Sequence, residues 1–119
     1  MTTDQIARRL VALCRTGDFE TAQKELFAND AVSIEPYATP EFEKETKGLD
    51  AIIQKGHKFN EMVEEMHGGD VTDPIVAGQS FAMVMRMDMT MKGKGRMDMS
   101  ELCVYEVKDG KIISESFHM

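Results

Sequence analysis

Between Phe81 and Met91 the chain reads FAMVMRMDMTM, and strict alternation over that length leaves little freedom of fold. Successive side chains of a pleated strand point to opposite faces, so Phe81, Met83, Met85, Met87, Met89 and Met91 share one face. Ala82, Val84, Arg86, Asp88 and Thr90 share the other. A Gly-Lys-Gly turn around Gly93 and Gly95 follows, and GRMDMSELCVYEV then alternates again as far as Val107, which makes a hairpin. Asp109-Gly110 is a second turn signal, from which KIISESFHM runs extended. A long sheet with one methionine-rich face needs a cover, and the helices that supply it come earlier.

The length of 119 residues, 42% of them hydrophobic, suits one domain over 1–119. Fourteen basic against 21 acidic residues give a net charge of −7, which argues against nucleic acid or an anionic membrane as partner. A neutral or cationic small molecule is the expected ligand. No apolar run reaches the length of a membrane span, and the opening MTTDQ with Arg8-Arg9 inside its apolar stretch does not read as a signal peptide. Cys14 and Cys103 lack metal-type spacing, so the expectation is two buried thiols in a reducing, cytoplasmic setting, with no metal or other cofactor.

Thr3 is the expected cap of a first helix with Ile6, Leu10, Leu13 and Cys14 on its stripe, stopping at Gly17. Asp18 can cap a second, carrying Phe19, Ala22, Leu26 and Phe27 on one face. Asn29-Asp30 breaks it, and AVSIE gives a short strand with Val32 and Ile34 sharing a face, ended by Pro36. Tyr37 to Lys47 reads as a surface loop, either a lid or an ordinary connector. Helix three is expected from about Leu49 to Met66, with Ile52, Ile53, Phe59 and Val63 on its stripe and Gly56 marking close packing. Gly68-Gly69 ends it, and VTDPIVA, with Pro74, reads as an edge or bulged strand. The order helix, helix, strand, helix, then four strands argues for α+β: a curved, mostly antiparallel sheet on three helices, with Leu10, Leu26, Ile53 and Phe59 in the core. The helices cover one sheet face; the other, still apolar, is expected to make a homodimer.

The element order, the opening LCRTGDFETAQKELFANDAVSIEP, the helix start KGLDAIIQKGHKF and the close VYEVKDGKIISESF together resemble a SnoaL-like protein of the nuclear-transport-factor-2-like superfamily. The resemblance spans essentially the whole chain and implies a cone of curved sheet and helices around an internal pocket, frequently as a homodimer. The superfamily holds polyketide cyclases, ketosteroid isomerases, epoxide hydrolases and binding scaffolds, so fold transfers better than function. In its cyclases and hydrolases an acid on the last strand, shortly after the DGKI turn, works inside the pocket. Phe117 stands at that place here, with Glu115 two residues earlier on the same face. The resemblance to the hydrolases further points to Arg86 and Asp88 as a pair sharing a face, with a surface ion pair as the alternative.

The register of the last hairpin decides which groups meet. A two-residue loop sets Glu115 opposite Val104, whereas a three-residue loop with a glycine bulge sets it opposite Cys103 and sets Phe117 opposite Glu101. The second is favoured, because it gathers Glu101, Cys103, Tyr105, Ile113, Glu115 and Phe117 on one mixed face. Two carboxylates in an apolar pocket raise each other's pKa, which makes Glu115 and Glu101 the candidate acid and base. Phe117, Arg86, Asp88, Tyr105, His57 and Phe59 are candidate ligand contacts, although His57 beside the helix stripe reads first as a solvated or hydrogen-bonded histidine. The methionines read first as core or dimer packing, then as pocket lining. Thioether metal ligation ranks third, because alternation spreads the sulfurs along the strand with no Cys or His between them. Two functions follow: a pocket protein that binds a small hydrophobic molecule such as a polyketide and isomerises, cyclises or hydrolyses it, or a non-catalytic dimeric binding module.

Overall fold

A computed structural model describes residues 1–119. Helix α1 (Thr3–Arg15) starts one residue earlier than the Thr3 cap expected: Thr2 is the N-cap, accepting the Gln5 N–H at 3.1 Å while the Gln5 side chain accepts the Thr2 N–H at 2.9 Å. Ile6, Ala7, Leu10, Val11, Leu13 and Cys14 are its buried stripe. Gly17, at φ 77°, turns the chain into α2 (Phe19–Leu26). Asp18 occupies the N-cap of α2 without capping it through its side chain, which instead accepts the Thr16 hydroxyl at 2.6 Å.

Extended structure begins sooner than the sequence pattern suggests. Phe27 is already the first residue of β1 (Phe27–Ile34), and Asn29-Asp30 lies within a register shift between Phe27 and Val32 rather than ending a helix. The shift turns Ala31 and Ser33 into the core and leaves Val32 and Ile34 half-buried. Within the supposed loop, Glu45–Lys47 forms β2 on the edge of β1. Helix α3 (Leu49–Met62) stops four residues short of Met66, and Val63–Val71 becomes β3. Gly68-Gly69 is therefore inside a strand. A Cβ on Gly69 would stand 2.6 Å from the Arg86 carbonyl oxygen, so the approach of β3 to its neighbour needs glycine there. Gly56 has no such reason, since a Cβ there meets nothing within 4 Å.

Strand β4 (Ile75–Ala77) and the long strands β5 (Ser80–Met91), β6 (Gly95–Lys108) and β7 (Lys111–His118) complete a seven-stranded sheet. Its order is β2-β1-β7-β6-β5-β3, with β4 also on β5, and every pairing is antiparallel except β1 with β7. Three helices on a curved, unclosed sheet are the α+β cone expected. The core lies between α1, α2 and the concave face. Tyr105 stacks on Phe81 there, centroids 4.8 Å apart, and meets Phe27 edge-on. Each such fully buried apolar side chain contributes roughly 1.5–3 kcal/mol relative to exposure. Leu10, Leu26 and Ile53 are buried as expected; Phe59 is only half-buried and stands outside the core cluster.

The convex face mixes apolar and charged side chains. Val84 and Leu102 are exposed on it, but Arg86 joins Asp98 at 2.7 Å and Asp70 at 3.3 Å, and Arg96 holds Asp88 through two bonds of 3.0 and 2.9 Å.

Candidate active site

The last hairpin takes neither register considered above. Lys108 opposes Lys111 across a two-residue turn at Asp109-Gly110, but a bulge follows: Val107 opposes Ile112, Glu106 opposes Ser114, and Ile113 is the extra residue. From there Tyr105 faces Glu115 and Cys103 faces Phe117. The bulge restores the grouping of Glu101, Cys103, Tyr105, Glu115 and Phe117 on the concave face, one pair away from the register favoured. It excludes Ile113, whose place in the core goes to Ile112.

Glu115 is 5% exposed, and Ser33 is its partner in the parallel β1–β7 pair. From α3, the half-buried Lys55 donates to the Ser33 Oγ at 2.6 Å and to the Glu35 Oε1 at 3.1 Å. An ammonium has only hydrogens to offer, so Ser33 accepts from Lys55, and its own hydroxyl proton is left to offer elsewhere, with Glu115 as its register partner. Burial raises the Glu115 pKa, while the Ser33 hydrogen bond and the Lys55 charge oppose that rise. Glu101, opposite Met85 on β6, has no such donor. Burial, then the charges of Glu35 and Glu115, push it to about 7, against a weaker opposing effect of Lys55.

The surrounding groups stay protonated. Burial carries the Tyr105 hydroxyl well above its ordinary value, and burial with the Glu115 charge raises the Cys14 thiol to about 12. Cys103 is raised in the same way, so two unpaired buried thiols form an inert wall. Phe117 is half-buried at the rim, its ring 5.6 Å from the Lys55 ammonium.

The remaining candidates lie elsewhere. Arg86 and Asp88 do share a face, but it is the convex one, and each is held by other partners. His57 is exposed and bonded to Glu20 of α2, on the far side of α3 from Lys55 by helical spacing. Phe59 lies one turn beyond Lys55, half-buried. Ser33, Lys55 and Glu35 were missed. A lysine in the stripe that holds Ile52 and Phe59 is a usable signal; Ser33 is hidden because alternation groups the apolar Val32 and Ile34 on one face, whereas Ala31 and Ser33 are the buried pair.

A concavity of about 470 Å³ opens between the 39–46 segment and α3, lined by Thr39, Glu41, Phe42, Thr46, Lys55 and Lys58 among others. It shares Lys55 with the carboxylate cluster, but neither Glu101 nor Glu115 lines it.

A Mesorhizobium loti protein with a provisional assignment as a SnoaL-like polyketide cyclase, with carbohydrate phosphatase given beside it, is 36% identical to this chain, covers 100% of both chains and superposes with a TM-score of 0.92. An NTF2-like protein of unknown function from Burkholderia pseudomallei (16% identity, 100% and 92% coverage, TM-score 0.82) and a cystatin-like-fold protein from Xanthomonas campestris (18%, 98% and 89%, 0.81) share the fold. No curated protein matches. The SnoaL-like domain model spans residues 1–119, and with the concave carboxylates inside an NTF2-like cone the chain belongs to the SnoaL-like family.

Proposed function

We propose that the protein binds a small, largely apolar molecule bearing a carbonyl group and moves a proton on it, in chemistry of the isomerase or cyclase type. The observation that carries this reading is the unequal pair of carboxylates on one buried face. Glu115 has the Ser33 hydroxyl as its register partner and the Lys55 charge against the effect of burial, whereas Glu101 has no hydrogen-bond donor and two neighbouring carboxylates that outweigh Lys55. Two acids whose surroundings separate their pKa values divide the work: Glu115 is the base that takes a proton from carbon, and Glu101 is the acid that delivers one to oxygen. Lys55 and Ser33 position and ionise the base. Met85 and the half-buried Met87, Met99 and Phe117 supply adaptable walls, since unbranched methionines re-pack around a ligand at low cost. The provisional cyclase assignment of the Mesorhizobium loti relative supports the same class of chemistry.

The test is deuterium wash-in at the acidic carbon of 2-tetralone, followed by NMR. Exchange above the buffer rate, lost in Glu115→Gln, is expected; equal exchange by wild type and variant would refute the assignment. A second reading, a non-catalytic binding module, is favoured by the open concavity beside α3, which neither carboxylate lines. It predicts binding of the ketone with no exchange. The homodimer and the reducing compartment also belong to this proposal, supported by exposed Val84 and Leu102 on the convex face and by the two unpaired buried thiols. Light scattering that finds a stable monomer at micromolar concentration removes the dimer.

A further inference from the structure

Alternation along one strand spreads methionine sulfurs apart, but strand pairing brings them back together across the sheet. Met66 of β3 is the register partner of Met89 of β5, and Met89 is the partner of Met97 of β6. The three therefore form one row across adjacent strands, on the concave face. Strands in a sheet stand about 4.8 Å apart, a spacing that lets three flexible thioether side chains lean toward a common point. The row is open at both flanks: Met66 is 53% and Met97 38% exposed, whereas Met89 between them is 1% exposed.

The neighbouring rows on this face are Gly69–Met87–Met99 on one side and Val63–Met91–Gly95 on the other. Neither places a charged side chain beside the sulfurs. Arg86, Asp88, Arg96 and Asp98 all belong to the convex face, and His67, next to Met66 in sequence, is turned away by a register shift to bond the Thr90 hydroxyl at 2.7 Å. The row thus offers three soft sulfur donors, with no charged residue in the register rows on either side of it on this face, on a chain of net charge −7. The carboxylate cluster is separate: Glu101 lies four residues further along β6, roughly 13 Å at strand rise.

We propose that Met66, Met89 and Met97 form a thioether site for a soft monovalent cation of the copper(I) or silver(I) class. Thioethers select such ions over zinc, magnesium or calcium. The two cysteines are buried in the core and stand apart from the row, Cys103 six residues along β6 from Met97, so methionine methyl shifts distinguish the row from binding at a thiol.

The experiment uses the full chain labelled with ¹³C-methyl methionine, titrated with silver nitrate in chloride-free buffer, with zinc sulfate as the control. One equivalent of silver is expected to shift the Met66, Met89 and Met97 methyl signals together, with zinc shifting none. Met66→Leu and Met97→Leu keep side-chain volume, so each should fold with an unchanged melting temperature and lose at least tenfold in silver affinity. Silver that leaves these three signals in place, or binds both leucine variants as it binds wild type, overturns the proposal. Movement of zinc-treated signals to the same degree also overturns it. Ketone exchange by the carboxylates is measured separately and does not enter the outcome.

Discussion

Ser33 and Glu115 face each other across the one parallel strand pair in the sheet, both buried, with Lys55 donating to the serine at 2.6 Å. The serine is therefore placed as a one-way relay: it receives from an ammonium, and its own proton is left for the carboxylate beside it. Ser33→Ala removes the hydrogen bond that opposes the effect of burial, so the Glu115 titration moves upward, and Lys55→Met moves it the same way by removing the charge. Following the ¹³C carboxyl signals of labelled glutamate against pH checks both. The serine variant should also lose on the order of 1 kcal/mol of stability in urea unfolding. An unmoved Glu115 signal in both variants removes the relay.

Glu101 gives a stability prediction of opposite sense to the usual paired acid. Its pKa is about 7 in the folded chain against an ordinary 4.5. Between those values the folded protein holds more protons than the unfolded chain, so stability falls as pH rises through that window. Glu101→Gln deletes the dependence. At pH 8 the variant should be more stable than wild type by on the order of 2 kcal/mol, and at pH 4.5 nearly equal to it, as read by urea midpoints. If Glu101 is the acid in proton transfer, wild-type exchange declines above pH about 7, and the more stable variant loses it.

Much of this was legible in the sequence, and the failures share a cause. The alternating runs located β5 and β6, parity put Glu101 and Tyr105 on one face, and it took the bulge at Ile113 to bring Glu115 to that face. Hydrophobic period misplaced the end of α3, because Val63 and Met66 continue its stripe. Pairing with β5, helped by a close approach only Gly69 permits, outweighs that local pattern. The Asn29-Asp30 bulge inverted β1, hiding Ser33. Arg86 and Asp88 illustrate the reverse limit: spacing correctly gave them a shared face, but partners on β3 and β6 were needed to show which face it was.

That placement is testable. Arg86→Gln breaks exposed pairs with Asp98 and Asp70, whose worth is small in water, so activity at the carboxylates should be unchanged and the urea midpoint should shift only slightly. A loss of ketone exchange in a folded Arg86→Gln would return the arginine to the site.

The 39–46 segment stands over the open concavity and is tied down at points far apart in sequence. Lys94, in the β5–β6 turn, reaches Glu41 at 3.2 Å; Lys58 of α3 donates to the Glu41 carbonyl and sits 5.2 Å from the centre of the Phe42 ring. These ties cross surface and water, so each contributes little to global stability, but together they are what holds a segment with few core contacts. Lys94→Ala combined with Phe42→Ala should change the urea midpoint slightly and raise amide hydrogen exchange across residues 39–46 by several-fold, leaving β5 and β6 protected. Because Lys55 joins the concavity to the buried acids, a looser segment should also speed ligand arrival and departure, read as matched increases in on- and off-rates for the ketone. Unchanged exchange in the double variant would mean that backbone bonds such as Glu35 N–H to the Lys44 carbonyl, at 2.7 Å, hold the segment without the side chains.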